Sequence, residues 1–257
     1  MSISMLQMTT FISELLFNTL RVAGFFMVVP IFGNQLVSPR VRIALSMAVG
    51  LALTPVMGDV PNLAEFDLGT MADLMLQILM AIGLGFTAVI FFQLFVVAGQ
   101  FIGMQMGLGF AAMVDPGNGV SVTVWSQFFL MLVTLSFLVL NGHLVLFEIL
   151  VSGFKMFPSG MELGIGEFAG RIVQLGGWMF AGGILLAIPA VISLLIVNMS
   201  FGVMNRSAPQ LNVFSLGFPF SLLFGLVIIW FLLHGWADQF HRLATDFLEI
   251  VSGITQV

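Results

Sequence analysis

The sequence contains no cysteine and no tyrosine, and it has very few charged residues. Without cysteine, the chain can form no disulfide, no thiolate nucleophile and no cysteine-ligated metal site. Charged side chains make up 7% of the 257 residues, whereas a soluble domain carries roughly 25%. So few ionised groups cannot build a surface that faces water. Lipid, other proteins or both must therefore cover this chain.

The charge balance also bears on the class of partner. The chain has 7 Lys and Arg residues against 12 Asp and Glu residues, which gives a formal net charge of −5. Nucleic-acid binding needs a basic face that neutralises phosphates. We therefore expect no nucleic-acid partner.

Apolar residues supply most of the sequence, with 60% hydrophobic residues and a mean hydropathy of +1.14. A helix that crosses a bilayer needs about 20 apolar residues. Six stretches approach that length: Phe11–Val37, Val41–Met57, Ala72–Ala98, Trp125–Val151, Ile172–Phe201 and Asn212–Trp236. The pattern predicts an all-α, polytopic helical membrane protein with about six hydrophobic segments and kinked helices. Met1–Thr10 has no basic region and no cleavage site, so we expect it to begin the first helix.

One apolar run is too long for a single crossing. From Ala72 to Val114 the chain is almost continuously apolar, about twice what one span requires. Its second half, Gly99–Val114, is short and rich in glycine, which predicts a re-entrant or interior segment. Irregular backbone at that depth requires cover by protein or a water-filled cavity. The arginine and lysine residues of the loops divide three against three between the two sides, so the orientation stays open.

Polar residues of the first helix fall on one face. Gln7, Glu14, Asn18 and Arg21 are spaced by 7, 4 and 3 residues. An arginine in the middle of a lipid-exposed helix costs about 2.5–3.5 kcal/mol, so this face should contact protein. Two interpretations stay open, a seam that docks on a neighbouring subunit through Glu14 and Arg21, and a contact within the chain.

Three glycines recur at intervals of four residues, Gly99, Gly103 and Gly107. Small residues at this spacing form a flat helix stripe that lets another backbone approach closely. We predict that these glycines pack against a neighbouring helix.

The same region carries many Met and Phe side chains. We call residues 103–119 the Met/Phe-rich segment; it ends in the turn residues Asp115, Pro116 and Gly117. Unbranched Met side chains can collapse together, exclude water and repack around a variable substrate. One hypothesis is therefore a channel seal, and the other is ordinary core packing. The candidate seal residues are Met104, Met106, Phe110 and Met113.

Catalytic motifs are missing from the sequence. There is no His-Glu-x-x-His, no Gly-x-Ser-x-Gly and no phosphate loop that ends in Gly-Lys. His143 fits a hydrogen-bonded interior position better than a proton donor, and His234 and His241 lack metal-ligand spacing. We predict a protein that is not an enzyme, with no cofactor and no metal.

Three groups of residues resemble the FliR family of flagellar export-gate proteins and its virulence-associated secretion homologues. The first group comprises Arg21, Pro30, Phe32, Gly33 and the turn Pro39–Ile43. The second is Gly107–Pro116 followed by Asn141–Leu144, and the third is Asn205–Pro219. Together they cover the chain from about Arg21 to Pro219.

The resemblance implies a gate subunit in the bacterial inner membrane, at the flagellar basal body. It implies assembly with FliP and FliQ in a hetero-oligomeric gate, with FlhB and FlhA nearby, and passage of unfolded export substrates. Residues 1–170 would be FliP-like and residues 171–257 a FliQ-like helical hairpin. The Met/Phe-rich segment would be the interior plug, and the hinge with Arg206, Pro209 and Asn212 would contact partners.

Two other functions remain as alternatives. Broken helices and Gly/Pro interruptions also suit a small-molecule secondary transporter, although such proteins usually keep ionisable residues deep in their segments. An architectural scaffold without a pore is the other. The sequence leaves subunit numbers and the choice between a flagellar and an injectisome-type system open.

Overall fold

A computed structural model describes residues 5–34, 36–56, 67–109, 123–156, 165–207 and 213–255. These residues form eight α-helices, a short 3-10 helix at Thr54–Val56 and no β-strand. The helices are α1 (Met5–Val28), α2 (Pro39–Leu53), α3 (Leu68–Gln105), α4 (Val124–Val139), α5 (Gly142–Met156), α6 (Ile165–Ser207), α7 (Val213–His234) and α8 (Trp236–Thr255). The predicted class, an all-α polytopic membrane protein, is confirmed.

Four of these helices are long and apolar enough to cross a membrane: Gln7–Val28, Leu68–Gln105, Gly166–Ser207 and Gly217–His234. The predicted second segment is too short, because α2 has only 15 residues. The predicted fourth segment is broken. Its halves are bent by 78° at a turn, where Asn141 adopts a positive φ of 57°. Asparagine enters this left-handed region more readily than most residues.

Helix α3 is continuous for 38 residues, nearly twice the length of one crossing. Asp67 directly precedes it, and the Asp67 carboxylate accepts hydrogen bonds from the backbone N–H and the hydroxyl of Thr70 at 2.8 and 2.9 Å. These bonds lower the pKa of Asp67. The predicted re-entrant or interior segment, Gly99–Val114, does not start with irregular backbone, because the helix runs through Gly99 and Gly103 to Gln105. Residues 110–114 of that prediction lie outside the described residues.

The chain packs as two compact units that alternate along the sequence. Unit 1 comprises Met1–Ile90, Leu138–Leu175 and Leu248–Val257, and unit 2 comprises Phe91–Phe137 and Gly176–Phe247. The predicted division near residue 170 concerns likeness to two other proteins, and it stays a prediction.

In unit 1, close helix contacts are made at glycines. An added Cβ at Gly50 of α2 would lie 2.8 Å from the hydroxyl of Thr19 on α1. At Gly85 of α3 it would lie 2.9 Å from the carbonyl oxygen of Phe25. Phe26 meets Phe147 of α5 edge to face, with ring centroids 6.0 Å apart. These contacts hold α1 between α2, α3 and α5.

The core of unit 2 is an aromatic cluster. Phe91 and Phe95 of α3 are fully buried and contact rings from α4 and α8: Phe137, Trp236, Phe240 and Phe247. The indole N–H of Trp236 donates to the hydroxyl of Ser136 at 2.9 Å. The cluster fixes the second half of α3, which leads to the Met/Phe-rich segment.

Candidate functional site

The first part of the candidate site is the end of α3. The amide of Leu108 donates to the carbonyl of Gly103, and the amide of Gly107 donates to that of Met104, both at 3.0 Å. Gly107 has a φ of 86°, so the helix ends in a Schellman motif with glycine in the left-handed position. Gly107 therefore terminates the helix and does not lie on the predicted helix stripe.

Gly99 and Gly103 lie against the beginning of α4. An added Cβ at Gly99 would be 2.7 Å from both the Cα of Ser126 and the carbonyl oxygen of Trp125. An added Cβ at Gly103 would be 2.5 Å from the hydroxyl of Thr123. Only glycine allows α3 and α4 to approach this closely.

A buried hydrogen-bond cluster secures the same contact. The side-chain oxygen of Gln100 accepts bonds from the backbone N–H of Thr123 and from the hydroxyl of Ser126, both at 2.9 Å. The Thr123 hydroxyl donates to the carbonyl of Gly99 at 3.2 Å and accepts from the amide of Ser126 at 3.3 Å, so it also caps α4. Sequence reasoning missed this cluster, because Gln100 and its partners are more than 20 residues apart.

The two contacts bring together the flanks of the Met/Phe-rich segment. Residues 110–122 lie outside the described residues, and with them Phe110, Met113, Asp115, Pro116 and Gly117. The described residues on either side of 110–122, Gly99–Gly109 and Thr123–Ser126, are in direct contact. We call this contact the fixed point at the base of the segment.

Met104 and Met106 have different environments. Met104 is 58% exposed, whereas Met106 is 1% exposed. The Met106 side chain fills the space left by Gly225 of α7. The sequence grouped both residues as candidate seal residues. The packing makes Met106 an anchor of α3 on α7 and leaves Met104 accessible.

Asn198 of α6 joins three helices. Its amide nitrogen donates to the carbonyl of Gln105, the last residue of α3, at 3.3 Å. Its amide oxygen accepts a hydrogen bond from the hydroxyl of Ser221 of α7 at 2.7 Å. Beside this node lies a cavity of about 420 Å³. Its described lining is uncharged and comprises Met104 and Gln105 of α3, the following Met106 and Gly107, Asn198, Phe201, Gly202 and Asn205 of α6, and Gly217, Phe218 and Ser221 of α7.

The polar face of α1 lies in unit 1, and its residues differ in burial. Arg21 is 6% exposed, and its guanidinium carbon lies 3.9 Å from the centroid of the Phe154 ring. Asp73 of α3 acts on Arg21 electrostatically. Asn18 is also buried and donates to the hydroxyl of Thr54 at 3.5 Å. Arg21 and Asn18 thus make contacts within the chain, and Glu14 is partly exposed.

Arg206 lies exposed in the last turn of α6. Pro209 and Asn212, the other predicted hinge residues, lie outside the described residues. A cation at this place interacts favourably with the helix dipole. Its exposure leaves the guanidinium available to another chain.

Much of the surface of α6 and α7 is apolar and exposed. The exposed side chains on α6 include Ile184, Leu185, Ile188, Ile192, Leu195, Ile196, Met199 and Val203. Those on α7 include Leu223, Phe224, Leu226, Val227, Trp230 and Phe231. Such continuous apolar surfaces require cover by lipid or protein.

Among the described residues, no three His, Asp or Glu side chains converge in a way that could hold a metal ion. His234 bonds to the carbonyl of Trp230 and His241 to the hydroxyl of Thr245, each within its own helix.

The sequence matches known proteins over most of its length. Residues 12–247 match the family described as bacterial export proteins, family 1. The chain is 38% identical to the flagellar biosynthetic protein FliR of Escherichia coli (strain K12), over 82% of this chain and 80% of that protein. It is 33% identical to the protein of that name from Buchnera aphidicola subsp. Acyrthosiphon pisum (strain APS), over 89% and 88%. For Bacillus subtilis (strain 168) the identity is 28%, over 82% of each chain. This chain therefore belongs to the bacterial export proteins, family 1.

Proposed function

We propose that this chain is a subunit of the flagellar type III secretion export gate, in the bacterial inner membrane at the flagellar basal body. There it forms and seals part of the channel through which unfolded flagellar proteins leave the cell. The proposed partners are FliP and FliQ within the gate, with FlhB and FlhA close by. Family membership and the names of the relatives support an export role.

The observation that carries the sealing role is the fixed point at the base of the Met/Phe-rich segment. A plug must be able to move without unpacking the helices that bear it. Here Gln100, Thr123 and Ser126 tie the two flanks of the segment to each other. This contact supports the proposal, because it holds α3 and α4 together at the base of the proposed plug.

The proposed seal consists of Met104, Phe110 and Met113, with Met106 as a buried anchor. Helices α6 and α7, which are joined by the hydrogen bond between Asn198 and Ser221, are called the α6–α7 hairpin. The proposed FliQ-like part, residues 171–257, contains most of this hairpin. The exposed apolar surfaces of that hairpin fit the need for neighbouring subunits or lipid around it. The rival transporter function has less support, because the described residues that line the cavity beside Asn198 include no ionisable side chain. Solute uptake by the purified chain alone would favour the transporter.

Removal of the seal side chains should make the idle gate leaky. We expect that Met104→Ala, Phe110→Gly and Met113→Ala together raise small-ion leakage several-fold in cells that express the complete gate. These side chains would no longer exclude water from the constriction. The matched control is Met131→Ala on α4, because Met131 is 56% exposed, like Met104. A triple variant as tight as wild type would refute the seal.

Reversal of the charge at Arg206 should impair assembly. We expect Arg206→Glu to lower the amount of this chain that co-purifies with FliP and FliQ, because the variant replaces an exposed cation at the proposed hinge with an anion. It also places an anion at a helix C-terminus, which costs about 0.3–1 kcal/mol. Lys155→Glu serves as control, since Lys155 is likewise exposed in the last turn of a helix. Equal yields for both variants would count against a partner contact at Arg206.

A further inference from the structure

We propose that Asn198 is a positioning residue that ties the end of α3 to the α6–α7 hairpin, so that the base of the Met/Phe-rich segment follows the hairpin. Its importance for sealing rests on the proposed function. The tie itself rests on hydrogen bonds among described residues of unit 2. One amide serves two helices at once, Gln105 of α3 through its nitrogen and Ser221 of α7 through its oxygen.

The chemistry of a helix end explains why an amide is suited to this place. The last four carbonyls of a helix have no partner within the helix, and the carbonyl of Gln105 is one of them. In apolar surroundings an unpaired carbonyl is costly. Asn198 supplies a donor for it, and Ser221, which is buried, satisfies the remaining oxygen of Asn198.

A cavity of about 420 Å³ lies beside the node, between the end of α3 and helices α6 and α7. Next to it, the described contacts of the end of α3 include the hydrogen bond from Asn198 and the packing of Met106 on Gly225. Both join the end of α3 to the hairpin.

The exposed surface of the hairpin suggests what the tie does in the assembled gate. On α7, Phe224, Trp230 and Phe231 are exposed and need cover. In the assembled gate, the molecule that covers α7 would determine where the hairpin lies. Because Asn198 bonds the hairpin to the end of α3, a shift of the hairpin would also move the residues at which the Met/Phe-rich segment begins.

A disulfide reporter can test the tie, because the chain has no native cysteine. An added Cβ at Gly225 would lie 2.7 Å from the Cγ of Met106. Because one C–C bond separates the Cγ of Met106 from its Cβ, the Cβ atoms of residues 106 and 225 are at most about 4 Å apart. A disulfide can form over such a distance. Met106→Cys with Gly225→Cys, in the complete gate in native membranes, should crosslink rapidly with a mild oxidant. Adding Asn198→Leu should slow the crosslinking about 3- to 20-fold, the range expected for interhelical hydrogen bonds in membranes.

Two further variants make the result decisive. Ser221→Ala removes one bond of the node and should slow crosslinking less than Asn198→Leu does. Ser200→Ala should have no effect, because that hydroxyl bonds to Ile196 within α6. If Asn198→Leu crosslinks at the parent rate, the tie is refuted. If the Asn198→Leu variant does not accumulate in the membrane, the Ser221→Ala variant decides the question. Crosslinking of that variant at the rate of the parent Met106→Cys, Gly225→Cys protein refutes the tie. The assay measures no transport, so failure of the seal in the leakage test and failure of the tie are distinguishable.

Discussion

Replacement of Arg21 by Glu is expected to prevent stable folding of unit 1. Arg21 is almost fully buried, lies over the face of Phe154 and is attracted by Asp73. A carboxylate there would face the negative face of the ring and another acid. Breaking such a buried charge arrangement costs about 3–5 kcal/mol. We expect loss of accumulation in membranes, or a much lower thermal midpoint of the detergent-solubilised gate complex.

Three comparisons separate this effect from a general sensitivity to charge. Arg40→Glu should be tolerated, because Arg40 is exposed in the first turn of α2, where an acid suits the helix dipole. Arg21→Met should be milder than Arg21→Glu, because it leaves no buried charge of its own. Asp73→Arg should partly restore Arg21→Glu. A midpoint for Arg21→Glu within a degree or two of that of Arg40→Glu would contradict the role of this pair.

Replacement of Gly99 by Ala should separate α3 from α4. The added methyl group would lie 2.7 Å from backbone atoms of Trp125 and Ser126, and backbone cannot turn aside as a flexible side chain can. Such overpacking typically costs about 1–3 kcal/mol, against a gain in helix propensity of about 1 kcal/mol. We expect Gly99→Ala to lower the thermal midpoint of the detergent-solubilised gate complex relative to wild type. Gly99→Leu should lower it further.

Gly177→Ala is the matched control, because it is also a glycine within a long helix. Nothing lies within 4 Å of its added Cβ. Alanine should therefore raise the midpoint slightly, since only the helix propensity changes, by up to about 1 kcal/mol. The two substitutions are thus expected to have opposite signs. A rise in both would show that α3 and α4 can separate at little cost.

The sequence predicted the class of fold because composition decides it. With 7% charged residues, only cover by lipid or protein is possible. The long apolar runs likewise predicted all of α7 and the middle of α3 and of α6. The break between α4 and α5 was missed, although Asn141-Gly142 is a turn dipeptide. It lies inside an apolar run, where hydropathy alone suggests continuity.

The site was less predictable, because its geometry depends on contacts between distant residues. The four-residue spacing placed Gly107 on a helix stripe with Gly99 and Gly103, but the helix ends before it. Met104 and Met106 looked equivalent, but Met106 is buried and packs on Gly225, more than 100 residues away. The partners of Gln100 and Asn198 are non-local in the same way. The roles of Phe110, Met113, Arg206, Pro209 and Asn212 stay predictions.

Because a turn at Asn141 separates α4 from α5, the chain presents two apolar arms of 16 and 15 residues. At 1.5 Å per residue, such arms are about 22–24 Å long, shorter than the roughly 30 Å hydrocarbon core of a bilayer. Neither arm is therefore long enough to cross the bilayer by itself. An arm that lay against lipid would carry a mismatch cost of fractions of a kcal/mol for each ångström, whereas an arm covered by protein would carry none.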